Sequence, residues 1–187
     1  NTAFIRDGAC IRLADGCVLE RPIHLLFVST SEGDGATASH PRNIIVLGKD
    51  ARATVIEEYA GSDGERYFTN PVTDIVVGEG GELNHCKLQH ESAEAIHIGN
   101  LVARQASRSN LTTVSVCFGS ALVRNTSSTI LGGEYAHCTM DGLYVANGTQ
   151  QVDNHTTIDH AAPNCTSHEL YKGVLDEKGR GVVSGKI

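Results

Sequence analysis

Apolar residues in this chain come in short runs that alternate with polar ones and stop at Gly, Asp or Asn. CIRLADG, HLLFVST, NIIVLGKDA, ATVIEEYAG, TDIVVGEGG, TTVSVCFGS, STILGGEYA and DGLYVANG all follow that pattern. Runs of this length bounded by turn residues predict β-strands. Helical spacing is nearly missing, and only ESAEAIHI, residues 91–98, fits a helical turn or two. The chain reads as all-β.

The turns recur. Val46-Leu47-Gly48-Lys49-Asp50-Ala51-Arg52-Ala53 matches Val76-Val77-Gly78-Glu79-Gly80-Gly81-Glu82-Leu83 position for position, 30 residues on (46 to 76). Cys117-Phe118-Gly119-Ser120-Ala121 and Ile130-Leu131-Gly132-Gly133-Glu134 repeat the cue of two apolar residues before Gly. Strands that pivot on small residues at recurring intervals suggest coils stacked into a solenoid around a shared interior. A parallel β-helix is therefore the leading fold. A β-sandwich is the alternative, because Asp7-Gly8, Asp15-Gly16, Asp63-Gly64, Asp141-Gly142 and Asn147-Gly148 are also hairpin signals.

Size and charge narrow the reading. The 187 residues suit one domain, residues 1–187, with about 70% of the unfolded surface buried on folding. A net charge of −7 with no cluster of Lys and Arg argues against a nucleic-acid partner. No run of about 18 apolar residues exists to span a membrane. The first residue is Asn1 rather than Met, and Ile187 closes an apolar strand pattern, so both ends read as cuts in a longer chain. Six cysteines, at 10, 17, 86, 117, 138 and 165, form no CxxC pair. They read as reduced and mostly buried thiols of a cytoplasmic protein. Sequons at Asn110, Asn125, Asn147, Asn154 and Asn164 are chance matches in a chain so rich in Asn and Thr.

Candidate chemistry concentrates in Val152–Lys172. As a strand, 152–160 puts Val152, Asn154, Thr156, Ile158 and His160 on one face and Asp153, His155, Thr157 and Asp159 on the other. The second row could hold a divalent metal, but its members stand about 6.5–7 Å apart, so a solvated or inter-subunit face is the simpler reading. Cys165 and His168 have the CxxH spacing of half a zinc site, with Asp159, His160 or Glu169 as further ligands. His168 could also serve as base to a Cys165 nucleophile. His85-Cys86 and His137-Cys138 look like ligand pairs, yet neighbours on a strand point to opposite faces; Cys86 and Cys138 read as core thiols. No GxSxG, P-loop, HExxH, GxGxxG or HxH element occurs in a usable context. These residues predict no catalytic site, and cofactor-binding residues cannot be assigned.

HPRNIIVLGKDARATVIEEY (40–59), YFTNPVTDIVVGEGGELNHCKLQ (67–89), ALVRN (121–125), DGLYVANGTQQVDNHTTIDHAAPNC (141–165) and SHELYKGVLDEKGRGVVSGKI (167–187) together resemble the SufB/SufD family of iron–sulfur cluster assembly scaffolds, and within it the SufD branch. The resemblance runs from about residue 40 to 187. It implies a right-handed parallel β-helix core, with helical flanks that these residues lack. It also implies a non-enzymatic scaffold of the SUF machinery that works with SufB-type and SufC-type partners, a homodimer being a further possibility. An iron–sulfur cluster and reduced flavin are implied for the whole complex, with none held stably by this chain alone. The implied compartment is the cytoplasm, or the plastid in a photosynthetic eukaryote. A Cys–Ser–His element that the family places at its subunit interface has no counterpart in these residues. The alternative function is a β-helix polysaccharide lyase or hydrolase holding Ca²⁺ on Asp153, His155 and Asp159. The absence of Trp, 5% aromatics and the negative charge count against a sugar-binding groove.

Overall fold

A computed structural model describes residues 2–30 and 37–187. After a 3-10 turn at Thr2–Phe4, the strands in chain order are β1 (Cys10–Leu13), β2 (Ile23–Ser29), β3 (Thr37–Ser39), β4 (Arg42–Leu47), β5 (Arg52–Gly61), β6 (Tyr67–Thr69) and β7 (Val72–Val77). They continue with β8 (Glu82–Glu91), β9 (Ile96–Gln105), β10 (Asn110–Gly119), β11 (Leu122–Leu131), β12 (His137–Ala146), β13 (Gln151–Asp159), β14 (Thr166–Leu175) and β15 (Arg180–Lys186).

Successive strands alternate between two sheets. One has the order β1-β4-β7-β9-β11-β13-β15, with the β3–β6 pair alongside; the other runs β14-β12-β10-β8-β5-β2. Every strand pairing among the described residues is parallel. The chain is a two-sheet β-solenoid of about 5 turns. Parallel pairing excludes the sandwich, because a hairpin joins antiparallel strands. The repeat seen in sequence is a coil: Val46 pairs with Val76, Leu47 with Val77, Arg52 with Glu82 and Ala53 with Leu83.

The turn signals close corners between sheets instead of hairpins. Gly16, Gly64 and Gly148 sit at corners with φ of 69°, 76° and 62°, the left-handed region that Gly enters at no steric cost. At the Gly48 and Gly78 corner the backbones touch: a Cβ on Gly78 would lie 2.7 Å from the Gly48 carbonyl carbon. Gly78 N–H donates to Leu47 C=O at 2.9 Å, so the ladder continues round the bend. Two expectations fail. Asp141-Gly142 lies inside β12, where the missing side chain makes room for the Tyr171 ring stacked one coil on. ESAEAIHI forms no helix: Glu91 ends β8, Ile96 starts β9, and Glu91, Ala95 and His97 all face inward. Two-residue alternation overrides the apparent helical spacing.

Inward side chains divide the interior lengthwise. Along the corners that lead from the first sheet to the second, Leu47, Ile75, Val77, Leu83, Leu111 and Leu131 form a sealed apolar column. Each such side chain contributes about 1.5–3 kcal/mol on burial. Cys117, Val123, Tyr144, Ala146 and Val152 form a smaller cluster at the opposite corners. Polar residues fill the space between. Of the six thiols, all free, only Cys117 and Cys138 are buried; Cys10 is exposed and the rest are half-buried. Cys86 is not a core thiol: on β8 it is His85 that turns inward, which puts Cys86 on the outer face.

Candidate functional site: a charged file inside the solenoid

The alternation that buries Leu83 on β8 also turns His85, Lys87, Gln89 and Glu91 inward. The same logic on β5 carries Glu57 and Tyr59 inside, and on β9 it carries His97. Ionisable groups from three coils therefore meet in a lumen closed by two sheets. Burying them is costly unless each is paired.

They are paired throughout. Glu57 is the first centre. Tyr59 O–H donates to its Oε1, Thr73 O–H reaches both oxygens at 2.9 Å, and His85 Nε2 lies 3.1 Å from Oε2. Asn43 Nδ2 donates to Tyr59 Oη at 3.4 Å. Burial works against ionisation of Glu57, but the His85 hydrogen bond and charge, with the two hydroxyls, hold its carboxyl down at about 2. Burial and the adjacent Glu57 carboxylate push the Tyr59 phenol far above its ordinary range.

Glu91 and His97 form the second centre. His97 Nδ1 lies 2.7 Å from Glu91 Oε2, and Thr69 O–H donates to Oε1 at 2.7 Å. Lys87 Nζ lies 2.8 Å from His97 Nε2 and donates to Asn125 Oδ1 at 2.6 Å. Asn125 Nδ2 donates on to Asn154 Oδ1 at 3.2 Å. These contacts define one tautomer: His97 donates through Nδ1 to the carboxylate and accepts from the ammonium at Nε2. Burial, then the Lys87 charge, lowers the imidazole to about 4, so it is neutral at physiological pH. Burial penalises the Glu91 carboxylate, yet the His97 bond and charge leave its titration below the usual range. Burial lowers the Lys87 ammonium too, opposed by Glu57 and Glu91. Lys87 also stands 5.7 Å over the Tyr59 ring, joining the two centres.

Beside Glu57 and Lys87 is a cavity of ≈30 Å³, bordered also by Thr113, Ser115, Asn125 and Ser127. That is room for one or two waters and nothing larger. The buried thiols are chemically quiet: burial pushes Cys117 up to about 12 and Cys138 to about 11. Neither is a thiolate at neutral pH.

The residues singled out in Val152–Lys172 do not converge. β13 buries Val152, Asn154, Thr156 and Ile158 and turns Asp153, His155, Thr157 and Asp159 outward, as alternation requires. Asp153 accepts from the Gln151 amide at 3.2 Å, and Asp159 is exposed at the strand's end. His160 Nε2 lies 2.9 Å from Ser167 Oγ, and Cys165 S–H donates to Gly133 C=O at 3.2 Å. His168 Nδ1 stands 3.7 Å from Asp141 Oδ1 on another face. Among the described residues, no three His, Cys, Asp or Glu side chains are grouped to hold a metal. Sequence reading passed over the interior file, although its signal was present: Glu57-Tyr59 and His85-Lys87-Gln89-Glu91 fall at every second position, in phase with the buried Ala53 and Leu83.

Fold and lumen define a class: parallel two-sheet β-solenoids whose interior holds paired charged groups. The chain belongs to the SufBD core family, whose model, described as SUF system FeS cluster assembly, SufBD core domain, matches residues 27–187. It is 28% identical to an iron–sulfur cluster assembly SufBD family protein of Synechocystis over 195 residues, covering 100% of this chain and 43% of that protein. It is 28% identical to iron–sulfur cluster assembly protein SufD of Escherichia coli, covering 89% of this chain and 40% of SufD. Protein ABCI7, chloroplastic, of Arabidopsis thaliana is 29% identical over 97% of this chain and 39% of its own length. The chain thus spans about two fifths of these relatives.

Proposed function

We propose that these residues are the core of a non-enzymatic scaffold subunit of the SUF iron–sulfur cluster assembly machinery, of the SufD branch, acting with SufB-type and SufC-type partners. The observation that carries this reading is the SufBD core match along an uninterrupted solenoid. The lumen supports it: its carboxylates and imidazoles are hydrogen-bonded to each other. Clusters pass through such an assembly as cargo. The compartment is the cytoplasm or, as for the chloroplastic relative, a plastid.

The test is co-purification of the full natural chain with SufB-type and SufC-type proteins of the same source, followed by sizing and anaerobic iron and sulfide analysis. A defined complex, with iron and sulfide appearing only on assembly, supports the scaffold role. Failure to form any complex sinks it.

A further inference from the structure

β12 ends at Ala146 and β13 starts at Gln151, so the corner between them runs through 147–150. It carries the sole Asn-Gly pair of the sequence, Asn147-Gly148. The coil before makes the same crossing with 120–121 alone, from the end of β10 at Gly119 to the start of β11 at Leu122. The longer corner therefore has no full counterpart to stack on along that side, and Asn147 is exposed. Gln150 N–H donates to Asn147 C=O at 3.1 Å, and Asn147 N–H donates to Gln150 Oε1 at 2.8 Å. Toward the next coil, Lys178 N–H donates to Gly148 C=O at 3.0 Å and Arg180 N–H to Gln150 C=O at 2.9 Å. Among the described residues, neither the Asn147 side-chain amide nor Gly148 N–H has a hydrogen-bond partner.

We propose that Asn147-Gly148 is a site of spontaneous deamidation, with water as the only co-reactant. Gly148 N gives up its proton to water and attacks Asn147 Cγ. The new C–N bond closes a succinimide ring, the Cγ–Nδ2 bond breaks, and the amide nitrogen leaves as ammonia with a proton from water. A second water opens the ring at either carbonyl and leaves an aspartate or an isoaspartate at position 147. No atom is oxidised or reduced.

Asparagine is thermolabile, but the reaction needs an attacking N–H that is free and uncrowded. Glycine alone has no Cβ to obstruct the approach, and Gly148 has a φ of 62° that other residues rarely adopt. The remaining asparagines lack one condition or another. Asn43, Asn125 and Asn154 are buried, and Asn70 precedes Pro71, which has no N–H. Asn84, Asn100 and Asn110 are exposed but lie within strands, each before a buried side chain: His85, Leu101 and Leu111. Asn164, exposed in a loop, precedes Cys165, whose Cβ crowds the nitrogen.

Conversion alters the corner. Either product sets a carboxylate beside Gly148, where a Cβ would lie 3.8 Å from Glu177 Oε2, so two like charges meet. The isoaspartate also routes the main chain through the side-chain carbon, which adds an atom to the corner and displaces the carbonyl that Gln150 N–H binds. The bonds from Lys178 and Arg180 rest on that corner and loosen with it. The inference is independent of the cluster-assembly reading.

The test incubates the full natural chain at pH 8 and at pH 6 and reads each asparagine by tandem mass spectrometry. Asn147 is expected to gain the mass of an amide becoming an acid and to give two separable products. The rate should be at least tenfold higher at pH 8, because the attacking amide must lose its proton. Asn164 should stay intact. Asn147→Gln, which would have to close a larger ring, should stop the conversion with an unchanged thermal melt. In the aged chain, hydrogen exchange at Lys178 and Arg180 should quicken at least tenfold. Asn147→Asp, which adds the charge without lengthening the backbone, should give a smaller rise. The proposal fails if Asn147 keeps its amide through an incubation that converts a free peptide of residues 144–151. It fails equally if Asn164 converts as fast, or if exchange at Lys178 is the same before and after conversion.

Discussion

Lys87 and His97 share one hydrogen bond, with Nζ 2.8 Å from Nε2, and through it the ammonium of the charged file is held between the Glu57 and Glu91 carboxylates. Both partners titrate below their ordinary values because burial disfavours their charged forms, with the Lys87 charge adding to the shift of His97, and the Glu57 and Glu91 carboxylates oppose this. The pair therefore makes the lumen stable under some conditions and fragile under others.

Removing the ammonium leaves two buried carboxylates with less compensation. Lys87→Met is expected to destabilise the fold by about 1–3 kcal/mol, the range for leaving buried acceptors, here His97 Nε2 and Asn125 Oδ1, without their donor. A urea titration measures it as a lower midpoint with an unchanged slope. A midpoint equal to wild type would show that the carboxylates do not depend on Lys87.

Acid should unfold the protein in two stages. His97 has a folded value of about 4 against 6.5 for a free imidazole, so the unfolded chain binds the extra proton first. Its contribution is complete above pH 6.5 and lost as pH falls toward 4, about 3 kcal/mol in all. Glu57, at about 2 against 4.5, adds a second loss below pH 4.5. Stability measured from pH 7 to 3 should fall along both limbs. His97→Gln should flatten the upper one.

Gly142 has no side chain because Tyr171 of the next coil occupies that space. Gly142→Val should cost about 2 kcal/mol by overpacking. Adding Tyr171→Ala should recover part of that loss in a double-mutant cycle, since the two positions are register partners. Strict additivity would place the damage elsewhere.

Thiol reactivity should follow position. In the native protein at pH 8, exposed Cys10 is expected to react with a disulfide reagent within minutes. Cys117 and Cys138, pushed up to about 12 and 11, should react only after unfolding. Mass spectrometry of the labelled peptides reads this directly.

The coil is legible in the amino-acid sequence, because the Val46–Ala53 and Val76–Leu83 segments carry the same small-residue corner, and corners set the solenoid's step. The two faces of 152–160 follow from alternation alone. Asp141-Gly142 misleads because the same dipeptide serves a tight turn and a strand passing under a ring; which one applies depends on Tyr171, 29 residues on (142 to 171). The charged file is hidden for a different reason. Inwardness is normally inferred from hydrophobicity, and Glu57, Lys87 and Glu91 are charged residues held inside by partners on other strands. Such partners become visible only once the coils are stacked.

Most repeat architectures treat their units as interchangeable, so a unit can be added or dropped at modest cost. The file from Asn43 to Asn154 removes that freedom, because successive coils supply different members of two hydrogen-bonded sets that Lys87 joins across the Tyr59 ring. Deleting the stretch of β8 and β9 would remove His85, Lys87, Glu91 and His97 together and leave Glu57 facing Ser115. The solenoid is built by repetition but spelled like a word, and its letters cannot be reordered.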